Sequence, residues 1–150
     1  MTIRLSKKHR RRISRAKDIY PTMRSLLLRA SRHDRNKEHF WVVGLQRDAV
    51  LAYIELVALG TVNSTLVNPV EVFSFALQKK VTRLILVHNH PSGNLIPSEE
   101  DLEITKALYR AGQLLNIQIV DHLIISTESY TSLFDAGFLV EEEQGSEVRV

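Results

Sequence analysis

The sequence has no cysteine among its 150 residues. This absence excludes disulfide frameworks, thiolate metal sites and cysteine nucleophiles, and it fits a reducing compartment such as the cytoplasm, where we expect the protein to be located. No apolar run approaches the roughly 20 residues that a membrane-spanning helix needs. The polar N-terminus is also unlike a secretory signal. We therefore expect a domain with one continuous hydrophobic core and no membrane association.

Acidic side chains are scarce in the first quarter of the chain. Residues 1–37 contain 13 Lys/Arg and 2 acidic residues, a net charge of +11, whereas residues 38–150 contain 7 and 15, a net charge of −8. Residues 1–17 have no clear apolar period, so we predict a basic, flexible arm there. Two interpretations are open: the arm contacts nucleic acid or another acidic partner, or it is a solvated tail. No aromatic residue interleaves with these charges, which argues against a single-strand binder that relies on stacking.

Helical and extended apolar patterns alternate along the rest of the chain. Helices are predicted over residues 18–32, from Asn68 to Lys79–Lys80, and from Ser98 onwards; strands are predicted over 38–46, 50–59, 82–88 and 117–126, with a short strand or turn within 127–139. The buried face predicted for the second helix is Val70, Phe73, Ala76 and Leu77. Residues 140–150 are predicted to be a frayed acidic tail. The alternation predicts an α/β domain with a mixed sheet and helices packed on its faces.

Two histidines end the most apolar of the predicted strands, in the stretch LVHNHPSGNLIPSEED (residues 86–101). His88 and His90 are two residues apart, so their side chains share one face of the strand, at the end where ligand clefts form in α/β sheets. The loop after them is long enough to return Asp101, in the first turn of the next helix, to their side. Two imidazoles and one carboxylate leave a fourth position open, which is typical of catalytic zinc. Such a zinc ion would lower the pKa of its water to about 7.

The same residues also have ordinary structural interpretations. An isolated His-x-His pair occurs by chance, and Ser98 followed three residues later by Asp101 approximates a capping box. The end of a hydrophobic strand is nevertheless a poor place for imidazoles without a partner, and a Ser98 that caps the helix can still face the cleft. A hydrolase needs a base as well. Spacing alone nominates none, because Glu99, Glu100 and Glu103 fit a solvated helix start.

The stretch from His88 to Asp101 resembles the JAMM motif of the JAB/MPN metalloprotease superfamily: His-x-His, seven residues, Ser, two residues and Asp. HNHPSG followed by PSxxD is similar to the RadC-like branch, and the resemblance covers roughly residues 18–139. It implies a cytidine-deaminase-like α/β fold, in which helices flank a mixed β-sheet. It also implies that His88, His90 and Asp101 bind Zn²⁺.

The resemblance implies catalytic roles for two further residues. Ser98 would help to hold the oxyanion, and Glu38, directly before the first core strand, occupies the place of the family's general base. Glu55, in the second predicted strand, is the alternative base. The pair Asp121-His122 also recurs in the RadC branch, and we expect His122 to have a structural role or to support the ligands.

The function implied by the resemblance is that of a zinc-dependent metallohydrolase of peptidase or isopeptidase type, acting on an unidentified peptide or isopeptide. The alternative is an accessory protein associated with DNA repair, which binds nucleic acid through residues 1–17 and has a secondary or inactive metal site. A zinc nucleobase deaminase is excluded because it needs cysteine ligands. An HNH nuclease is poorly supported, since its residues are spread over a ββα unit. RadC proteins usually carry a helix-hairpin-helix region, for which the chain is too short, so we expect a stand-alone JAB domain.

Overall fold

A computed structural model of the chain describes residues 1–62 and 67–139. The predicted acidic tail over 140–150 and the middle of the predicted loop over 61–68 lie outside the described residues. Within them, one mixed sheet has the strand order β1-β3-β2-β4-β5-β6. The strands are β1 (Thr2–Ile3), β2 (Glu38–Leu45), β3 (Leu51–Gly60), β4 (Arg83–Asn89), β5 (Gln118–Ile125) and β6 (Tyr130–Ser132). β4 and β5 are parallel, and the other neighbours are antiparallel.

Helices cover both faces of this sheet. They are α1 (Tyr20–Arg29), α2 (Arg32–Arg35), α3 (Pro69–Lys79) and α4 (Glu99–Leu115). α3 and α4 pack on one face over a core that contains Phe40, whereas α1 packs on the other over a core that contains Trp41. Successive residues of β2 therefore enter opposite cores, as expected for a strand buried on both faces. The predicted α/β architecture, a mixed sheet flanked by helices, is confirmed. None of the described helices is long and apolar enough to cross a membrane.

The first predicted helix is shorter than its apolar period indicates. A 3-10 turn over Ala16–Ile19 precedes α1, and the chain becomes extended at Ala30 before α2 begins. Pro21 lies in the first turn of α1, as predicted. The Asp18 carboxylate accepts a hydrogen bond from the backbone N–H of Arg15 at 2.9 Å, which stabilises this turn. The helical backbone therefore begins at Ala16, two residues before the predicted start.

The buried face of α3 also differs from the prediction. Phe73 and Ala76 are buried as expected, but Val70 and Leu77 are 69% and 54% exposed, and Val72 is buried instead. The apolar residues of α3 extend around more of the helix than the part that the sheet and α4 cover. Periodicity alone therefore selects too wide a face.

Residues 1–17, predicted to form a flexible arm, lie along the sheet. β1 pairs antiparallel with β3 and becomes the edge strand of the sheet, and Arg12 forms a β-bridge with Val50. Ile13 is only 3% exposed and packs in the core under α1. These contacts arise because the edge of β3 offers unpaired backbone groups and because one isoleucine can enter the core. The charge pattern of the segment predicts neither the strand pairing nor the buried isoleucine.

The topology brings three strand ends and one helix start to the same edge of the sheet. β2 is antiparallel to β4, and β5 is parallel to it, so the start of β2 lies beside the ends of β4 and β5. α4 begins at this edge, after its N-cap Ser98. Residues at the start of β2, the end of β4 and the start of α4 are thereby placed close together.

A β-bulge in β5 changes which side chains face α4. The β4–β5 register shifts between Leu84 and Ile85. Ile119, before the shift, packs in the core under α3 and α4, whereas Leu123, four residues later, packs in the core under α1. Because one extra residue inverts the alternation of a strand, the bulge directs His122 towards α4.

Candidate metal centre

His88, His90 and Asp101 converge at this edge of the sheet. One ligand atom from each lies within 4.8 Å of the others. The two Nε2 atoms are 2.9 Å apart, and they lie 3.2 Å and 3.0 Å from the Asp101 carboxylate oxygens Oδ1 and Oδ2, respectively. His88 and Asp101 are buried, whereas His90 is partly exposed. The cluster therefore has one open side, next to His90.

The chemistry of these donors fits a cation. The Nδ1 of His90 lies 2.6 Å from the carbonyl oxygen of Asn94, and because a carbonyl can only accept, Nδ1 carries a proton. The Nε2 of neutral His90 then presents a lone pair to the other nitrogen and to the carboxylate. Facing acceptors at about 3 Å repel one another unless a cation or a proton lies between them. Two nitrogens and one oxygen suit zinc, whose bond lengths of about 2.0–2.1 Å put tetrahedral ligands about 3.3 Å apart.

The start of α4 holds the Asp101 carboxylate in place. The backbone N–H of Ser98 donates to Oδ2 of Asp101 at 2.9 Å, and the Ser98 hydroxyl oxygen accepts from the Asp101 backbone N–H at 3.0 Å. Asp101 is thus both a member of the predicted capping box and a predicted metal ligand. Ser98 itself is exposed. Its hydroxyl hydrogen takes no part in the cap, so it is free to point into the cleft.

Protonation in the cluster follows from its burial and its pairing. Burial alone would raise the pKa of Asp101, but the contacts of its carboxylate with His88 and His90, which become hydrogen bonds to it when Nε2 of either ring is protonated, outweigh burial and hold that pKa well below its usual range. The pKa of His90 is raised above its ordinary value, first by the hydrogen bond to Asp101 and, against the effect of burial, by the Asn94 carbonyl and the charges of Asp101 and Glu38. Asp101 is therefore an anion at neutral pH.

Behind His88 lies a buried chain of polar groups. Its Nδ1 is 2.7 Å from Nε2 of His122, and Nδ1 of His122 is 2.6 Å from the hydroxyl of Thr105. All three side chains are fully buried. Burial lowers the pKa of His122 well below its ordinary value, and the charge of His88 lowers it further. His122 thus contacts the predicted ligand His88 and is not itself one of the residues that surround the metal position.

Glu38 opens β2 beside the cluster. It is half-buried, and its Oε2 accepts a hydrogen bond from the backbone N–H of Val62 at 2.9 Å. Its charge is among those that raise the pKa of His90, after the hydrogen bond to Asp101. Phe40 of β2 lies opposite His88 of β4, so Glu38, two residues earlier on the same face of β2, lies beside the end of β4 that carries His90.

Asn89, between the two histidines, holds the backbone on both sides of Glu38. Its Oδ1 accepts from the backbone N–H of His39 at 2.6 Å, and its Nδ2 donates to the carbonyl of Lys37 at 3.1 Å. The side chain of Asn89 is 1% exposed. It couples the position of the β2 start to the strand that carries both histidines.

Glu55, the alternative base, lies elsewhere in the sheet. It pairs with Val42 of β2 and Thr2 of β1, and it lines a cavity with Met1 and Glu71. None of the three predicted ligands lines that cavity. The structure brings Glu38 to the cluster and does not bring Glu55.

A cavity of about 230 Å³ opens beside His90. Its walls are the loop Pro91–Gly93, the segment Ser126–Glu128, and residues from α1 and the α2 region. Arg24 of α1 donates to the carbonyl of Thr127 at 2.7 Å, which ties α1 to this wall. Of the predicted site residues only His90 lines this cavity.

Two supporting residues, Asn89 and Thr105, were not predicted as part of the site. Each had a signal in the sequence. Asn89 is a polar residue that ends a continuous apolar run, and Thr105 lies one helical turn after Asp101, on the same face. Neither signal identifies a partner, because the partners are far away in the sequence.

The chain matches the family model described as the RadC-like JAB domain over residues 13–138. It is 41% identical over 130 residues to a UPF0758 protein of Syntrophomonas wolfei, which is 87% of this chain and 55% of that protein. It is 39% identical over 130 residues to a UPF0758 protein of Methanosarcina mazei, with the same two coverages. A third relative, the UPF0758 protein of Desulforudis audaxviator, is 43% identical over 98 residues, 65% of this chain and 43% of that protein. The chain spans about half the length of these relatives. By this match, together with the arrangement of His88, His90 and Asp101, the chain belongs to the RadC-like JAB domain family.

Proposed function

We propose that the protein is a zinc-dependent hydrolase that cleaves peptide or isopeptide bonds. The observation that carries this proposal is the convergence of His88, His90 and Asp101 around one point with an open side. Three protein ligands and one free position are typical of catalytic rather than structural zinc. Zinc bound there would polarise the scissile carbonyl and lower the pKa of a water to about 7.

In this proposal Glu38 is the general base. Its half-buried carboxylate, oriented by the N–H of Val62, would take a proton from the attacking water and later return it to the leaving amine. The strand register supports this role, because Phe40 lies opposite His88 and Glu38, two residues earlier, therefore lies next to the end of β4 that carries His90. Asn89 supports it further, because it fixes the backbone on either side of Glu38.

Ser98 would stabilise the oxyanion that forms from the scissile carbonyl. Its hydroxyl oxygen is held by the Asp101 N–H, so its position is set before substrate arrives. The hydroxyl hydrogen would then donate to the developing charge, as preorganised donors do in other hydrolases.

The test is a substrate panel of peptides and isopeptides, applied to the zinc-loaded wild type, Glu38→Gln and Glu55→Gln. We expect Glu38→Gln to lose about 10²–10⁴-fold in kcat with unchanged zinc content, and Glu55→Gln to keep wild-type turnover. Zinc content is measured on protein purified without chelators, with His88→Ala as the variant that lacks a ligand. Equal turnover by wild type and Glu38→Gln would refute Glu38 as the base. Equal zinc content in wild type and His88→Ala would refute the metal site.

We further propose that a second surface binds nucleic acid, because tertiary structure combines basic and aromatic side chains there. Arg11, Arg12 and Lys17 line an open cavity of about 510 Å³ together with Tyr20 and Tyr130. The two tyrosine rings lie 4.9 Å apart at 40°. The sequence places no aromatic residue among these charges, but the fold supplies two from α1 and β6, and cations next to rings suit a single-stranded nucleic acid.

This second function is tested by binding of single-stranded DNA at several salt concentrations. Log affinity falls with log salt, and each phosphate contact contributes about 0.7 to the steepness of that fall. The double variant Arg11→Ala/Arg12→Ala should therefore make the slope shallower by about 1–2. The matched control is Lys106→Ala/Arg110→Ala on α4, which removes the same charge elsewhere. Equal slopes for the two double variants would contradict the proposal.

A further inference from the structure

The direction of hydrogen bonds in the buried chain behind His88 can be assigned from its far end. The hydroxyl of Thr105 contacts two groups, the carbonyl oxygen of Asp101 at 2.7 Å and Nδ1 of His122 at 2.6 Å. A carbonyl can only accept, so the single hydroxyl hydrogen goes to Asp101. The Thr105 oxygen must then accept from His122, which places a proton on Nδ1 of His122.

The tautomer of His122 in turn sets the tautomer of His88. His122 is fully buried, and both of its ring nitrogens have partners that are not carboxylates, so a charged imidazolium there would be costly. A neutral ring that carries its proton on Nδ1 has a lone pair on Nε2. That lone pair lies 2.7 Å from Nδ1 of His88 and accepts a proton from it. His88 then has its own lone pair on Nε2, which faces His90 and Asp101.

We propose that Thr105 and His122 are positioning residues, which keep the proton of His88 on Nδ1 and its Nε2 lone pair directed at the metal position. Metal-binding histidines commonly donate their second N–H to a carboxylate or to a backbone carbonyl. Here the acceptor is a second imidazole, and the chain ends on the helix α4 through the hydroxyl of Thr105. The proposal rests on the proposed metal site, and it adds which residues set the ligand's tautomer.

This arrangement couples two ligands through one helical turn. Thr105 lies four residues after Asp101, so its hydroxyl reaches back to the Asp101 carbonyl. The helix that carries the carboxylate ligand therefore also carries the group that orients the imidazole ligand. In the absence of the Thr105 oxygen, Nδ1–H of His122 would be buried without an acceptor, which is unfavourable. His122 would then move its proton to Nε2 and donate to His88, and His88 would carry its proton on the atom that faces the metal.

The test compares Thr105→Val, which preserves shape and removes the hydroxyl, with Thr105→Ser, which restores it. Zinc affinity is measured by competition with a chromogenic chelator. We expect Thr105→Val to bind zinc about 10–100-fold more weakly, as loss of such supporting partners usually does, and Thr105→Ser to return to within about threefold of wild type. Thr22→Val, a change at a buried threonine of α1, should leave zinc affinity unchanged and serves as the matched control.

A second readout needs no metal and no substrate. The tautomers of His88 and His122 are read from their ring ¹⁵N chemical shifts in metal-free protein. Wild type and Thr105→Ser should show both rings protonated on Nδ1, and Thr105→Val should show a shift of His88 towards the Nε2-protonated form. If wild-type His88 carries its proton on Nε2, or if Thr105→Val changes neither tautomer nor zinc affinity, the proposal is overturned. Failure of the hydrolase assay alone would leave both readouts intact, so the two proposals fail separately.

Discussion

At the scale of single residues, every predicted ligand has a second contact that orients it. Asp101 is held by the N–H of Ser98, His90 by the carbonyl of Asn94, and His88 by His122. The two histidine contacts use Nδ1, which leaves Nε2 for the cation, and the Asp101 contact uses only one lone pair of Oδ2. Such contacts reduce the reorganisation needed when a cation binds, which raises affinity.

Asn89 is the residue for which the structure predicts the clearest loss of stability. Asn89→Ala would leave the buried N–H of His39 without the acceptor it has now, and it would remove one of the two side-chain contacts of the Lys37 carbonyl. We expect the free energy of unfolding to fall by about 1–3 kcal/mol, measured by urea denaturation of metal-free protein. Asn36→Ala, at an exposed asparagine, should change it by less than about 0.5 kcal/mol. An equal effect of the two changes would contradict the role assigned to Asn89.

A pH dependence follows from the buried carboxylate of Asp121. Burial raises its pKa above the ordinary 3.8, although hydrogen bonds from the Ser132 hydroxyl and from the backbone N–H groups of Phe134 and His122 oppose the rise. A raised pKa means that the folded protein holds this proton where the unfolded chain has lost it. Folding stability from this group therefore falls as pH rises from about 3.8 to the raised pKa.

Asp121→Asn isolates this contribution, since wild type and the variant have all other carboxylates in common. We expect the stability of wild type, relative to Asp121→Asn, to decrease as pH rises through that window and to be constant above it. Thermal or urea unfolding of both proteins across the acid range measures the difference. A difference that increases with pH would show that the pKa of Asp121 is lowered instead.

At the scale of elements, the connection from α4 to β5 sets the distance between Thr105 and His122. The helix ends with Asn116 in the left-handed region (φ 57°), and the N–H of Ile117 returns to the carbonyl of Gly112 at 2.8 Å. A Cβ atom at Gly112 would overlap the carbonyl oxygen of Ile117. The glycine therefore permits β5 to begin directly against the helix.

Gly112→Ala should force this connection apart. The clash is with backbone rather than with a flexible side chain, so we expect a loss of about 1–3 kcal/mol of stability, as for overpacking elsewhere. Gln113→Ala, at the exposed neighbouring position, should change stability by no more than about 0.5 kcal/mol. Chemical denaturation of both variants measures this, and a neutral Gly112→Ala would mean that β5 can shift freely.

At the scale of the whole molecule, the basic N-terminal segment is part of the folded domain. It contributes β1 at the sheet edge and Ile13 to the core under α1. Its charges then lie on the surface next to Tyr20 and Tyr130. Deletion of residues 1–17 would consequently remove core packing together with charge, so surface substitutions are the cleaner test of nucleic-acid binding.

Ile13→Ala measures how strongly the segment is attached. Removal of a buried isoleucine side chain usually costs about 2–5 kcal/mol, and we expect a loss in this range, measured by urea denaturation. Ile96→Ala, at a position that is 69% exposed, is the matched control and should cost less than about 0.5 kcal/mol. If Ile13→Ala were as mild as the control, the segment would behave as the flexible arm that its charge pattern predicts.

The sequence by itself determined the mixed α/β architecture and the residues that meet at its edge. These were predictable because their causes are local: the alternation of apolar residues identifies strands and helices, and the spacing of His88 and His90 gives them one face of a strand. Asp101 was predictable for a similar reason, since Ser98 fixes the first turn of the helix that carries it.

Only the tertiary structure decided which distant residues support that edge. Glu38 rather than Glu55 faces the cluster because β2 runs antiparallel to β4, and His122 reaches His88 because a bulge inverts the alternation of β5. The exposure of Val70 and Leu77 and the docking of residues 1–17 have the same origin. Each depends on contacts between segments far apart in the chain, whose free energy comes from shared burial and pairing, and a local pattern does not contain it.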